Sequence, residues 1–81
     1  MWYSLVIDFY AQITKEMTDQ VLKRIRLERF NKDFSQEYVA NQLKISQSFY
    51  ARIESGKSKL TVDLLFKLAE LFKVQTEELL K

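Results

Sequence analysis

Cysteine, histidine and proline are absent from this chain of 81 residues, and glycine occurs only at position 56. The chain therefore has no disulfide, no thiolate or imidazole zinc site, no cysteine nucleophile and no histidine general base. Small strand-rich domains need glycine and proline in their turns, so this composition predicts an all-α protein. We also expect a protein that is not an enzyme and that has no cofactor, since no nucleophile and base stand out as a pair.

The basic residues are concentrated, although the formal net charge is only +2. Residues 20–32 contain five basic residues and one acidic residue. Residues 44–59 contain four basic residues and one acidic residue. Concentrated basic surface suits a polyanionic partner.

Five helical segments can be drawn after residue 17, and a hydroxyl residue precedes four of them. A side-chain hydroxyl at this position accepts a hydrogen bond from an unpaired N–H of the first turn. The segments, with their expected caps, are 21–30 after Thr18 or Asp19, 36–43 after Ser35, 47–55 after Ser46, 62–72 after Thr61, and 77–80 after Thr76. Helical spacing predicts that the aromatic residues at 38, 50, 66 and 72 lie in the core, and Gly56 is expected to end the third segment.

Residues 1–17 fit two patterns. One helical stripe contains six apolar residues: Trp2, Leu5, Val6, Phe9, Ile13 and Met17. Tyr3, Leu5, Ile7 and Phe9 also alternate as in a strand. We favour a helix and treat 1–17 as an N-terminal extension and a candidate dimerisation element, because so many aromatic residues are costly to leave in water. Residues 18–81 would form the remaining domain.

Only three residues, 44–46, separate two of the predicted helices, and this short link forces the helices to cross steeply. Ala40 supplies the small residue that a close approach needs. Apolar positions on the inner side leave a small, polar and basic stripe on the outer side of helix 47–55. Its members are Gln47, Ser48, Ala51, Arg52 and Ser55. Such a stripe suits the major groove of DNA.

The stretch "SQEYVANQLKISQSFYARIESGK" resembles the helix-turn-helix of lambda-repressor/Cro-like (Xre-like) DNA-binding domains. The similarity continues through "LTVDLLFKLAELFKVQTEELL" and covers about residues 20–81. The resemblance implies a compact five-helix bundle whose second motif helix lies in the major groove. Lys44 stands where the family usually has glycine, so we expect a left-handed lysine at a cost of ~1 kcal/mol. Ser55 stands where the family often has asparagine.

The resemblance also implies residue roles. Base contacts are expected from Gln47, Ser48, Arg52 and Phe49. Phosphate contacts are expected from Gln36, Ser46, Ser55, Lys57 and Lys59. Glu54 is expected to form a half-buried structural salt bridge with an arginine of the first helix. Spacing from Gln36 favours Arg29, whereas the apolar pattern before the arginine favours Arg26, which we prefer.

These features predict a cytoplasmic transcriptional regulator that binds double-stranded DNA in a sequence-specific manner. We expect a repressor-type homodimer on a pseudo-palindromic operator, because one monomer contacts few bases. The alternative is an antitoxin or another protein-interaction module on the same fold, with weak DNA binding. No basic leader precedes the apolar run at 1–17, and Asp8 interrupts it, so we expect neither a signal peptide nor a membrane anchor.

Overall fold

The computed structural model describes the backbone of residues 2–80 and the side chains of Ser4 and residues 14–80. Within these residues it contains helices and no strand, which confirms the all-α prediction. The five helices are α1 (Trp2–Asn31), α2 (Gln36–Leu43), α3 (Gln47–Glu54), α4 (Val62–Phe72) and α5 (Thr76–Leu79).

Three predicted helix starts are confirmed by the hydrogen bonds of their caps. The side-chain oxygens of Ser35, Ser46 and Thr61 accept from the backbone N–H three residues later, at 2.9, 3.1 and 3.2 Å. Each bond satisfies a donor that the helix itself leaves unpaired. The expected cap at Thr76 is wrong, because α5 begins at Thr76 and Gln75 precedes it without a side-chain cap.

Three helix ends share one backbone arrangement. Asp33, Lys44 and Lys73 have φ values of 58°, 61° and 58°, in the left-handed region. The N–H of the next residue donates across the last turn in each case: Phe34 to Arg29, Ile45 to Ala40 and Val74 to Ala69, all at 3.0 Å. This is the Schellman arrangement, with an apolar residue turned back onto the bundle. The left-handed Lys44 is therefore confirmed, and Gly56 ends α3 with φ 83° as expected.

The first helix differs from the prediction, because it does not start near Thr18 or Asp19 but runs unbroken from Trp2. The Thr18 hydroxyl donates to the carbonyl oxygen of Thr14 at 2.8 Å, a bond typical of the helix interior. The helical interpretation of the N-terminal segment is confirmed for the backbone of residues 2–17, and Met1 lies outside the described residues. All of residues 14–20 are exposed, as is Ser4. We call residues 2–20 the projecting segment, because α1 spans ~45 Å and the longest dimension of the molecule is 47 Å.

The core lies where α3, α4 and α5 meet the second half of α1, with α2 packed against α3 and α4. Its largest fully buried side chains are Tyr50, Phe72, Ile25, Ile53, Leu68, Leu79 and Val39. The core prediction is confirmed for Tyr50 and Phe72 and wrong for Tyr38 and Phe66, which are 41% and 56% exposed. Both lie at the edge of an apolar stripe, where helical spacing alone does not separate a core residue from a rim residue. Between residues 2 and 80, no helix has the length and apolar character needed to cross a bilayer.

Candidate nucleic-acid interface

The inner face of α3 is anchored in the core and its outer face is open. Tyr50, Ile53 and Glu54 are buried against α1 and α2. Ala40 of α2 is 1% exposed, as expected of the small residue at a close helix approach. Residues 44–46 form the whole link between α2 and α3, so the two helices are held in one fixed arrangement.

The outer face of α3 brings together three of the four expected base-contacting residues. Gln47, Ser48 and Arg52 are all exposed, and Phe49 is partly buried beside them. The Arg52 guanidinium carbon lies 5.7 Å from the centroid of the Phe49 ring, within the range of a cation–π contact. Ser46 caps α3, and its Oγ lies 3.4 Å from that of Ser48.

The segment after α3 folds back onto the end of that helix. The carbonyl oxygen of Arg52 accepts from the N–H of Lys57 at 2.8 Å and from that of Ser58 at 3.0 Å. The Ser55 hydroxyl donates to the same oxygen at 3.1 Å. Lys57 and Lys59 are both exposed on this turn. The turn therefore places two lysines next to the C-terminal end of α3.

One contact of this turn was not found from the sequence. Arg52 Nε donates to the Ser58 hydroxyl at 3.3 Å, which restricts the arginine side chain. No sequence signal distinguished Ser58 from an ordinary loop serine, since the contact depends on the fold of the turn.

Below the exposed face, a buried polar cluster joins α1, α2 and α3. Arg29 Nε lies 2.6 Å from Glu54 Oε2, and Arg29 Nη2 lies 3.1 Å from Oε1. The Tyr50 hydroxyl also donates to Oε2. Gln36 Nε2 donates to Oε1 at 3.1 Å, so the first residue of α2 is held by the last residue of α3.

The preferred salt-bridge partner of Glu54 is wrong, since the carboxylate pairs with Arg29 and not with Arg26. Arg26 instead donates through Nη1 to the backbone carbonyl oxygen of Glu54 at 2.6 Å. The reason is helical geometry: Arg29 lies four residues after the buried Ile25 and shares its face, whereas Arg26 is turned about 100° away. The spacing from Gln36 was the better signal.

The ionisation of the cluster follows from its hydrogen bonds. Burial alone raises the pKa of the Glu54 carboxyl, but the bonds from Arg29, Tyr50 and Gln36 outweigh burial and hold that pKa below its ordinary value. The bond to Glu54 raises the pKa of Arg29. Burial, followed by the bond to Glu54, raises the pKa of the Tyr50 hydroxyl. The pair therefore stays ionised and satisfied, which is the condition for a stable buried ion pair.

Among the side chains that the structure describes, every buried nitrogen and oxygen has a hydrogen-bond partner. No group of three or more acidic residues within that part of the chain is arranged to hold a metal ion. The cluster connects α3 to α1 and α2, and the exposed polar stripe lies on the outer face of α3.

A three-residue turn joins α2 to α3, and α3 presents a polar and basic face to the outside. This arrangement is that of a helix-turn-helix DNA-binding domain. The helix-turn-helix family model matches residues 22–79, more than two thirds of the chain. The chain therefore belongs to the lambda-repressor/Cro-like helix-turn-helix family, which confirms the resemblance noted in the sequence. No curated protein and no solved structure matches the chain.

Proposed function

We propose that this protein is a sequence-specific transcriptional regulator, of repressor type, that binds double-stranded DNA as a homodimer with α3 in the major groove. The observation that supports the proposal most is the exposed stripe of Gln47, Ser48 and Arg52 on a helix whose opposite face is buried. A helix anchored in this way can enter the groove without disturbing the core.

Base contacts come from the N-terminal half of α3. The Gln47 amide pairs with adenine N6 and N7, and Ser48 lies beside it for a second base. Arg52 lies about one turn further along, and its contacts with Phe49 and Ser58 hold the guanidinium ready for a guanine or a phosphate.

Phosphate contacts surround this stripe. A primary amide has two N–H donors, so Gln36 donates one to Glu54 and the other to a phosphate at the start of α2. Ser46 and Ser55 lie at the two ends of α3. The Ser46 oxygen caps α3 and its hydrogen can turn to the DNA backbone, whereas the Ser55 hydroxyl exchanges its bond to the Arg52 carbonyl for one to a phosphate. Lys57 and Lys59 add two charges on the following turn.

The operator has two half-sites in inverted repeat, about one helical turn apart, because a two-fold symmetric dimer presents two copies of α3. Selection of bound sequences from a random DNA pool tests this directly. We expect a pseudo-palindromic consensus.

Two variants test the residue roles. Gln47→Ala should relax the preference at one base position and cost ~1–3 kcal/mol on the preferred site. Lys57→Ala should weaken all sequences alike and reduce the slope of log affinity against log salt by ~1. Lys67→Ala is the matched control, because Lys67 lies on α4 and pairs with Asp63. Uniform loss of affinity in both test variants would refute the recognition-helix assignment, and weak binding without a consensus would support the interaction-module alternative.

A further inference from the structure

An open apolar groove lies at the base of the projecting segment, between α1 and the start of α4. Its volume is about 300 Å³. The residues that line it are Thr14, Met17, Thr18, Val21, Leu60 and Leu65. Met17 is 63% exposed here, and Val62, in the same turn of α4 as Leu65, is 65% exposed. We call this surface the basal groove.

The sequence of the projecting segment has the spacing of a helix that pairs with another helix. Apolar residues recur at alternating intervals of three and four: Tyr3, Val6, Tyr10, Ile13 and Met17. Away from this stripe lie the small or polar residues Ser4, Asp8, Ala11 and Lys15, together with the apolar Leu5. This is the a/d pattern of a two-stranded coiled coil, and its last member, Met17, is also part of the basal groove.

The charge of the projecting segment favours pairing with another helix over binding to a lipid surface. Within residues 2–20, Lys15 is the single basic residue, against Asp8, Glu16 and Asp19. Helices that lie on membranes are rich in lysine and arginine on their polar face, so this segment is not of that kind. Its net negative charge also opposes contact with DNA.

We propose that two copies of the chain pair through their projecting segments in antiparallel orientation, so that the tip of each segment occupies the basal groove of the other. This inference rests on the proposed homodimer and specifies its interface. An antiparallel pair brings the apolar tip near Trp2 to the partner's groove near Val21, one segment length away. A parallel pair would bring tip to tip and leave both basal grooves open. The arrangement is isologous, as a two-fold dimer requires.

The chain lacks cysteine, so single thiols can be introduced at chosen positions to test the orientation. Tyr3→Cys and Met17→Cys both lie on the paired stripe of α1, fourteen positions apart. The two variants carry different affinity tags, are mixed and allowed to exchange, and are treated with a short thiol-reactive cross-linker. We expect the mixed product, Tyr3→Cys joined to Met17→Cys, to dominate, because an antiparallel pair brings these two stripe positions together. Dominance of products within each variant, or no cross-linked dimer at all, would overturn the proposal.

A charge placed in the groove tests the occupied surface. Met17→Asp should raise the dimer dissociation constant at least ~10-fold in sedimentation experiments, because it buries a carboxylate against the partner helix. Leu27→Asp is the matched control, since Leu27 lies on the same helix, is 44% exposed and is outside the groove. Equal effects of the two substitutions would contradict the proposal, as would a monomer that binds neutral lipid vesicles.

These outcomes can be separated from those of the proposed function. If the proposed interface is wrong, no mixed cross-linked dimer dominates, but the protein still binds DNA half-sites and Gln47→Ala still relaxes the base preference. Failure of the proposed function would leave the cross-linked antiparallel dimer intact without a DNA consensus.

Discussion

At the scale of single residues, Glu54 connects the stability of the helix bundle to the proposed DNA-binding surface. It accepts hydrogen bonds from one residue each of α1, α2 and α3: Arg29, Gln36 and Tyr50. Because Gln36 is also a proposed phosphate contact, the same carboxylate that stabilises the bundle fixes a side chain at the DNA surface. Loss of Glu54 is therefore expected to affect stability first and DNA affinity second.

Glu54→Gln should lower the free energy of unfolding at neutral pH by ~3 kcal/mol, because it leaves the buried Arg29 without its counter-charge. Urea denaturation followed by circular dichroism measures this change. Asp63→Asn is the control, since it removes an exposed ion pair with Lys67 and should cost ~0.5 kcal/mol or less. A similar loss in both variants would contradict the role given to the buried pair.

The same pair predicts a pH dependence. The pKa of Glu54 is lower in the folded protein than its ordinary value, so the folded state binds fewer protons in acid than the unfolded state. The stabilisation is present above the unfolded pKa of ~4.3 and is lost as the pH falls through the lower folded value. The wild-type protein should therefore lose stability more steeply below about pH 5 than Glu54→Gln does. Parallel pH profiles for the two proteins would show that another carboxyl is responsible.

The sequence identified Glu54 as a salt-bridge residue but did not identify the arginine that pairs with it. The Glu54 pairing was expected, but the choice between Arg26 and Arg29 required the angular position of each residue around α1. The two arginines are three positions apart, and only the packed helix shows that Arg29 shares the buried face of Ile25. The Arg52–Ser58 contact depends on the fold of a turn and had no local signal at all.

At the scale of the elements, helix boundaries followed local chemistry closely. The starts of α2, α3 and α4 were predicted correctly because each depends on a hydroxyl that bonds within its own first turn. The start of α1 was predicted wrongly because a threonine inside a helix can bond backward to a carbonyl, as Thr18 does. A hydroxyl residue is thus a good sign of a helix start only where the preceding residues are not helical themselves.

Two opposite substitutions at helix ends test this local chemistry. Lys44→Gly should raise the free energy of unfolding by ~0.5–1 kcal/mol, because lysine is strained at φ 61°. Gly56→Ala should lower it by ~1 kcal/mol, because φ is 83° there. The added Cβ would lie 3.5 Å from Leu22 Cδ1, an ordinary contact, so the cost comes from the backbone alone. Thermal denaturation of both variants checks the signs, and stabilisation by Gly56→Ala would contradict the backbone argument.

At the scale of the whole molecule, α1 makes the protein longer than its bundle. The radius of gyration is 14.2 Å, against ~12 Å for a compact domain of this length. The second half of α1 carries Leu22 and Ile25 into the core, while its first half extends away without a break. A continuous helix transmits orientation, so a pair of projecting segments would also fix how the two copies of α3 are placed relative to each other.

This rigidity predicts a strict dependence on operator spacing. Insertion of about five base pairs between the half-sites rotates one of them by half a helical turn, to the opposite side of the duplex. The wild-type dimer should then engage one half-site at a time and lose ~100-fold in affinity, because the avidity of the second contact is removed. Met17→Asp, which weakens the proposed pairing, should bind both operators with nearly the same low affinity. Titrations on the two operators at fixed salt measure the difference, and a wild-type protein indifferent to the insertion would show that α1 does not hold the two recognition helices in register.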